Sequence, residues 1–306
     1  MIMHLPQMAF MSHAKKGAWF SVVLTIASLL LIMVRGFNFG LELTGGATIE
    51  IQYPQAANIT QIRQIVQQIH PEASVIQYGS SQDVQVRFGE VSGRDTEAVM
   101  RDMVSALKAD APEIKLLGQS KIGGQYKEEL VEKGIAALLL SSLGMVIYLG
   151  LRFEWKFAFG AILSQLHDVI VVAALFSLTQ WTFDLTILAA LLAVLGYSVN
   201  DTVVVYDRIR ENFIHYPSMK PKDVLDLSIN QTLARTIITS LTTLLAVLAL
   251  AIFGGSTLFG FAIAMIAGIV FGTYSSIFVA SSAVYLMNVK HEDLLPRAKV
   301  QLDDLP

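Results

Sequence analysis

Asp201 has the most chemistry to offer in this chain. With Asn200 it sits inside an apolar run that begins near Phe183 and predicts a transmembrane helix. An ionisable side chain at such a depth costs at least ~2.5–3.5 kcal/mol on insertion scales, so it is expected to face a partner or a water path. Tyr197, Asp201 and Arg208 fall at i, i+4 and i+11, on one helical face that runs from the membrane interior to a charged end. A carboxylate placed this way suits a proton or ion site. The alternative is an acid hydrogen-bonded inside a bundle for packing alone.

Two further polar features accompany it. Arg235 opens an apolar run and is followed by Thr239, Thr242 and Ala246, a narrow stripe of small side chains. Arg235 begins its span at about the depth of Asp201, so an Asp201–Arg235 pair across adjacent helices is expected; the competing expectation is snorkelling of Arg235 to the interface. His167 and Asp168 lie near the middle of another apolar run. For Asp168 a hydrogen-bonded packing role and a proton-relay role are both open. Ser198, Thr239 and Thr242 are candidates to line a wet path to Asp201. The sequence offers no metal-ligand cluster and no catalytic triad, so neither an enzyme nor a metal site is expected. An intramembrane aspartic protease built on Asp168 and Asp201 would need facing carboxylates and a Gly-x-Gly-Asp type of motif, which the chain does not have.

These residues need a membrane scaffold, and the composition supplies one. The chain has 306 residues, 54% hydrophobic and 15% charged, with a mean hydropathy of +0.55. That is the profile of a polytopic membrane protein. A net charge of -3 gives no reason to expect a nucleic-acid partner, and the absence of Cys leaves the redox compartment unreadable.

Residues 1–17 read as a short N-terminus of mixed composition, and 18–35 as a first span long enough for a ~30 Å hydrocarbon core. Met33-Val34-Arg35-Gly36 is a poor cleavage site, so the span is expected to stay as an anchor. A Gly-rich segment follows, with Gly40, Gly45 and Gly46 as a hinge. Residues 36–130 have ordinary globular composition. Strand-like runs at 47–53, 74–78, 84–88 and 113–117 alternate with helices at about 59–70 and 94–109. The order βαββαβ predicts a small ferredoxin-like α+β domain between spans one and two. Acidic residues outnumber basic ones there, and His70 reads as a surface cap.

Residues 131–289 predict five more spans, with a charged connector at 207–234 and a polar tail at 290–306. The sixth span carries Gly260, Ala264, Gly268, Gly272, Ser276 and Ala280, a ladder of small residues that lets another helix approach closely. Lys and Arg cluster at the ends expected on one side, whereas the turns at 179–184 and 253–258 carry none. The positive-inside rule then puts both termini in the cytoplasm and the α+β domain outside, in the periplasm of a Gram-negative cell. Arg35 is a single violation.

Two long motifs are recognisable. Leu195-Gly-Tyr-Ser-Val-Asn-Asp-Thr-Val-Val-Val-Tyr-Asp-Arg-Ile-Arg-Glu-Asn212 resembles the fourth-span signature of the SecF family, and Ser228-Ile-Asn-Gln-Thr-Leu-Ala-Arg-Thr-Ile-Ile-Thr-Ser-Leu-Thr-Thr243 resembles the segment opening its fifth span. Phe253-Gly-Gly and Thr44-Gly45-Gly46 also match, and the resemblance covers essentially the whole chain. One departure is Gly40-Leu-Glu-Leu-Thr-Gly-Gly46, where the family usually has Gly-Ile-Asp-Phe-Thr-Gly-Gly. The resemblance implies an RND-related subunit of the bacterial inner membrane that pairs with SecD, serves the SecYEG channel alongside YajC, and helps draw unfolded preproteins out on the periplasmic side. It implies protons as the coupling ion, with no cofactor, and carries the proton-path acid to Asp201 and its paired arginine to Arg235. The competing reading within that transporter group is half of a small-molecule/proton antiporter.

Overall fold

A computed structural model of the chain describes residues 7–77, 80–89, 93–122, 124–289 and 291–294. Helix α1 (Ala14–Arg35) follows a single 3-10 turn at Phe10–Ser12 and stops at Gly36, whose φ of 66° ends the helix. The segment read as a bare Gly-rich hinge holds two short elements, β1 (Asn38–Phe39) and the one-turn helix α2 (Leu41–Thr44).

A four-stranded unit comes next: β2 (Gly46–Gln52), α3 (Ile59–Ile69), β3 (Ser74–Gln77), β4 (Asp83–Phe88), α4 (Thr96–Asp110) and β5 (Lys115–Ile122). Its strand order is β3-β4-β2-β5, and every neighbouring pair is antiparallel. Strict alternation along β2 and β4 buries Ile49, Ile51, Val84, Val86 and Phe88 on one face. The apolar stripes of the two helices, including Ile62, Val66, Val99, Met103 and Leu107, cover that face. Asn58 caps α3 by accepting from the Gln61 amide at 3.3 Å, and Asp95 caps α4 from the Glu97 amide at 3.2 Å. The last strand runs to Ile122 rather than ending near Leu117, because it pairs along the full length of β2. Tyr78, expected to close the strand-like run at 74–78, lies outside the described residues.

Gly46 joins hinge and sheet at φ 130°, and a Cβ there would stand 2.2 Å from the Phe88 carbonyl oxygen. Gly46→Ala is therefore expected to destabilise the chain by at least the ~1–3 kcal/mol of a strained backbone. The readout is the thermal midpoint of the purified chain in detergent. An unchanged midpoint would mean that the segment relaxes freely.

The remaining elements are α5 (Gly124–Arg152), α6 (Trp155–Thr179), β6 (Thr182–Phe183), α7 (Leu185–His215), α8 (Pro221–Phe253), α9 (Gly255–Ser275), a π-helical segment (Ser276–Ala280), α10 (Ser281–Leu286) and α11 (His291–Leu294). Six helices are long and apolar enough to cross a membrane; the sixth is α9 carried through the π segment into α10. About half of α6, of α7 and of the sixth is buried, whereas α1, α5 and α8 leave most of their surface uncovered. The first three therefore form the bundle centre. Residues 207–234, read as a connector, are two helix ends and a short turn. Asn212 Nδ2 ties these ends together by donating to Ser228 Oγ and Gln231 Oε1, both at 2.8 Å. The expected tail at 290–306 lies outside the described residues except for α11.

The ladder packs on α7 of the same chain. A Cβ on Gly260 would meet Ile187 Cδ1 at 2.9 Å, and one on Gly268 would meet Val194 Cγ2 at 2.1 Å. Ala264 and Ser276 are fully buried.

At the opposite end from the α7–α8 turn, β1 pairs in parallel with β6, Asn38 opposite Thr182 and Phe39 opposite Phe183. The Gly40 amide donates to the Phe183 carbonyl at 2.8 Å, Asn38 Nδ2 to the Gln180 carbonyl at 2.9 Å, and Ser177 Oγ to the Gly36 carbonyl at 2.7 Å. Gly40 serves close approach here. Its φ is an ordinary -70°, but a Cβ would stand 2.7 Å from the Asp184 Cβ. Asp184 in turn caps α7, accepting from the Thr186 and Ile187 amides at 2.8 and 3.2 Å.

Candidate functional site

Asp201 lies 16 residues into α7, roughly 24 Å along it at 1.5 Å per residue. Against a hydrocarbon core of ~30 Å, that places it close to the α7–α8 side. Its side chain is 3% exposed, and Oδ2 has no hydrogen-bond partner. One turn earlier the Tyr197 hydroxyl is likewise buried and unpartnered. Asn200 is exposed, as one residue's rotation around the helix requires.

Arg235 stands 14 residues into α8 and is exposed. No ion pair within 4.0 Å joins it to Asp201 among the described residues. The expected direct pair is corrected to this extent. The reason is helical phase: the neighbouring Thr236 is the buried residue of that turn, 2% exposed with its hydroxyl unpartnered. Thr239 and Thr242 make no hydrogen bond to Asp201. Their hydroxyls bond carbonyls of their own helix, Arg235 at 2.5 Å and Ile238 at 2.9 Å, and Thr242 is exposed.

Asp168 is the better-furnished acid. It is fully buried on α6. Ser198 of α7 and Ser275 of α9 both donate to its Oδ2, at 2.6 and 2.7 Å. His167 Nδ1 lies 3.0 Å from Oδ1. Ser164 donates to Ser275 Oγ at 2.9 Å, so the network has a further member. A Cβ on Gly272 would stand 3.6 Å from Asp168 Oδ2, so this residue packs beside the carboxylate. The π segment begins immediately after Ser275; the Ser281 amide bonds the Ser276 carbonyl five residues back, and Tyr206 Oη donates to the Ala280 carbonyl at 3.0 Å. One carboxylate thus joins three spans.

The structure therefore brings together Asp168 and Ser198, and keeps Asp201 and Tyr197 on the same helix beside them. Sequence reasoning missed Ser164, Thr236 and Ser275. Ser275 carried a weak signal, since it adjoins the small-residue ladder at Ser276. Asp168 and Asp201 do not hydrogen-bond each other, which is not the geometry of an aspartic protease. Among the described residues no group of three or more acids or histidines is placed to hold a metal.

The family model described as "Protein export membrane protein SecD/SecF, C-terminal" matches residues 102–290, and the SecD/SecF GG motif matches residues 30–57. The protein translocase subunit SecF of Pseudomonas aeruginosa is 44% identical over 289 residues, covering 94% of both chains. That of Haemophilus influenzae is 40% identical over 303 residues, covering 98% of this chain and 93% of the relative. The crystal structure of SecDF, a translocon-associated membrane protein from Thermus thermophilus, superposes with a TM-score of 0.83 at 34% identity over 94% of this chain. This chain spans 39% of that longer one. A six-span bundle with a GG motif at the head of its sheet unit, matched along nearly its whole length by SecF relatives, belongs to the SecD/SecF family of protein-export membrane proteins.

Proposed function

We propose that this chain is the SecF-type half of a SecDF-type assembly that uses the proton motive force to assist protein translocation, and that Asp201 is where its protons bind. A buried carboxylate with a free oxygen, inside a bundle that leaves one face of α8 uncovered around the Arg235 charge, is the observation that carries this reading. A free carboxylate oxygen in a low-dielectric interior is costly, so it needs a proton or a water there. An exposed arginine in a span has the same need for a partner. A SecD half laid against α5 and α8 would supply that cover.

The further assignments follow the same reading. The protein sits in the inner membrane with both termini cytoplasmic and the sheet unit periplasmic. The strand order β3-β4-β2-β5, with a helix after β2 and another after β4, supports a ferredoxin-like α+β unit. That unit handles unfolded preprotein leaving the SecYEG channel, with YajC as a further neighbour. Protons serve as the coupling ion, and no cofactor is required.

The test is late-stage preprotein translocation in inverted vesicles that hold this chain as their sole subunit of its kind. Imposing a proton gradient is expected to speed translocation when the chain is present and to have no effect when it is absent. In Arg235→Met, which removes the Arg235 charge, most of the acceleration should disappear. Equal acceleration with and without the chain would overturn the proposal.

A further inference from the structure

We infer that Asp168 is a second proton-handling group, joined to Asp201 through the Ser198 hydroxyl. The inference rests on the reading of Asp201 as the proton site and extends it by one step toward the α6–α7 side.

The geometry has three independent parts. First, Ser198 precedes Asp201 by three residues on α7, a spacing that puts both on one face about 5–6 Å apart at Cβ. Ser198 is 1% exposed and already commits its proton to Asp168 Oδ2 at 2.6 Å. Second, three residues next to Asp168 or Ser198 in sequence or one turn on carry buried polar atoms without a protein partner: Asp201 Oδ2, Tyr197 Oη and His167 Nε2. Buried polar atoms of this kind are ordinarily satisfied by water, so each of the three calls for one. Third, the α9 side of the junction is made of Gly272 and a serine followed by a π turn, so no bulky side chain closes it.

Inward transfer can then be written with every proton accounted for. The proton on Asp168 Oδ2 moves to Ser198 Oγ, while the hydroxyl proton of Ser198 passes through one water to Asp201 Oδ2. One O–H bond breaks and one forms at Ser198 and at the water. Asp168 ends ionised and Asp201 ends neutral. While Asp168 holds the proton, Ser198 accepts from it; once Asp168 is ionised, Ser198 donates back in the bond the structure contains. Ser275 keeps its own bond to Oδ2 and stays off the line.

The titratable and charged groups around Asp168 are few. They are His167 on α6, Tyr197 and Asp201 on α7, Arg235 beyond Asp201 on α8, and Tyr274 on α9, whose ring lies 6.3 Å from His167. Tyr285 lies further along on α10. Between residues 17 and 34, α1 carries no titratable side chain, and α5 carries none between 134 and 147.

Ser198 and Ser275 make bonds of nearly equal length to one oxygen, so they separate relay from scaffold. In the inverted-vesicle assay, at matched protein levels, Ser198→Ala and Asp168→Asn are expected to reduce the gradient-driven rate to the gradient-free rate. Both should also flatten its pH profile. Ser275→Ala removes a bond to Oδ2 but no step of the line, so it should lower stimulation clearly less than Ser198→Ala does, and Ser198→Thr, which retains the hydroxyl, should restore it. Equal losses in Ser198→Ala and Ser275→Ala would make Asp168 a packing group. Wild-type stimulation with an unchanged pH profile in Asp168→Asn would also overturn the relay. If that happens while Asp201→Asn still abolishes stimulation, only the relay fails; if Asp201→Asn is itself fully stimulated, the proton-site reading fails with it.

Discussion

Asp201→Asn should express, insert and assemble normally, yet show no acceleration of translocation by a proton gradient. The amide has nearly the shape of the carboxyl and removes only its titration. Because Oδ2 of Asp201 has no partner, the substitution breaks no hydrogen bond at that atom. It also removes the need to hold a charge in the bundle interior, so stability should be unchanged or slightly higher. The functional loss should be complete for a simple reason. A gradient of ~100 mV is worth ~2.3 kcal/mol per charge, but only to a group that gains and loses that charge. A two-state rearrangement biased by that amount shifts its equilibrium by roughly fiftyfold; without titration the bias is zero. Inverted vesicles, compared with and without an imposed gradient, read this directly. Full stimulation in the variant would return Asp201 to a packing role.

The second large effect is expected at Gly268. Its missing Cβ would stand 2.1, 2.6 and 2.9 Å from the three branch atoms of Val194. Valine is stiff at χ1 on a helix and cannot turn away. Gly268→Leu must therefore push α9 off α7, at a cost above the ~1–3 kcal/mol typical of overpacking. A lower melting temperature in detergent and a reduced membrane level are the readouts. Gly144→Leu is the control, since nothing lies within 4 Å of a Cβ at that position on α5. Gly268→Ala combined with Val194→Ala should recover much of what Gly268→Ala loses, as contacting residues couple in a double-mutant cycle. A Gly268→Leu chain as stable as wild type would mean that α7 and α9 do not pack here.

Much of this architecture was legible because hydropathy and period are local properties. The six apolar runs and the strand-helix alternation of the sheet unit need only neighbours in sequence. Asp201 stood out for the same reason, as a charge inside an apolar run. What escaped the sequence depends on which face of one helix meets which face of another. Arg235 and Asp201 share a depth but not an azimuth, so depth alone suggested a contact that is absent. Thr239 and Thr242 looked like a polar lining, yet in a helix a threonine hydroxyl can satisfy itself on its own backbone, and both do. Asp168 could not be judged alone. Two of its partners, Ser198 and Ser275, stand 30 and 107 residues away, and Ser275 lay beside a run of small residues that reads as packing. The π segment has no sequence signature that period analysis would detect.

The short β1–β6 pairing fixes where the sheet unit joins the bundle. The chain rises from α1, is clipped to the α6–α7 corner, and only then turns through Gly45 and Gly46 into the sheet. The sheet unit is thus attached to the bundle beside that corner. Both acids lie on the two helices that meet there. A small tilt of α7 would turn the clip, and strands seven and eight residues long would carry that rotation outward as a wider sweep at their far ends. The α1 end is bound to the same corner by Ser177 and Gln180, so the segment between α1 and the sheet is held at both ends.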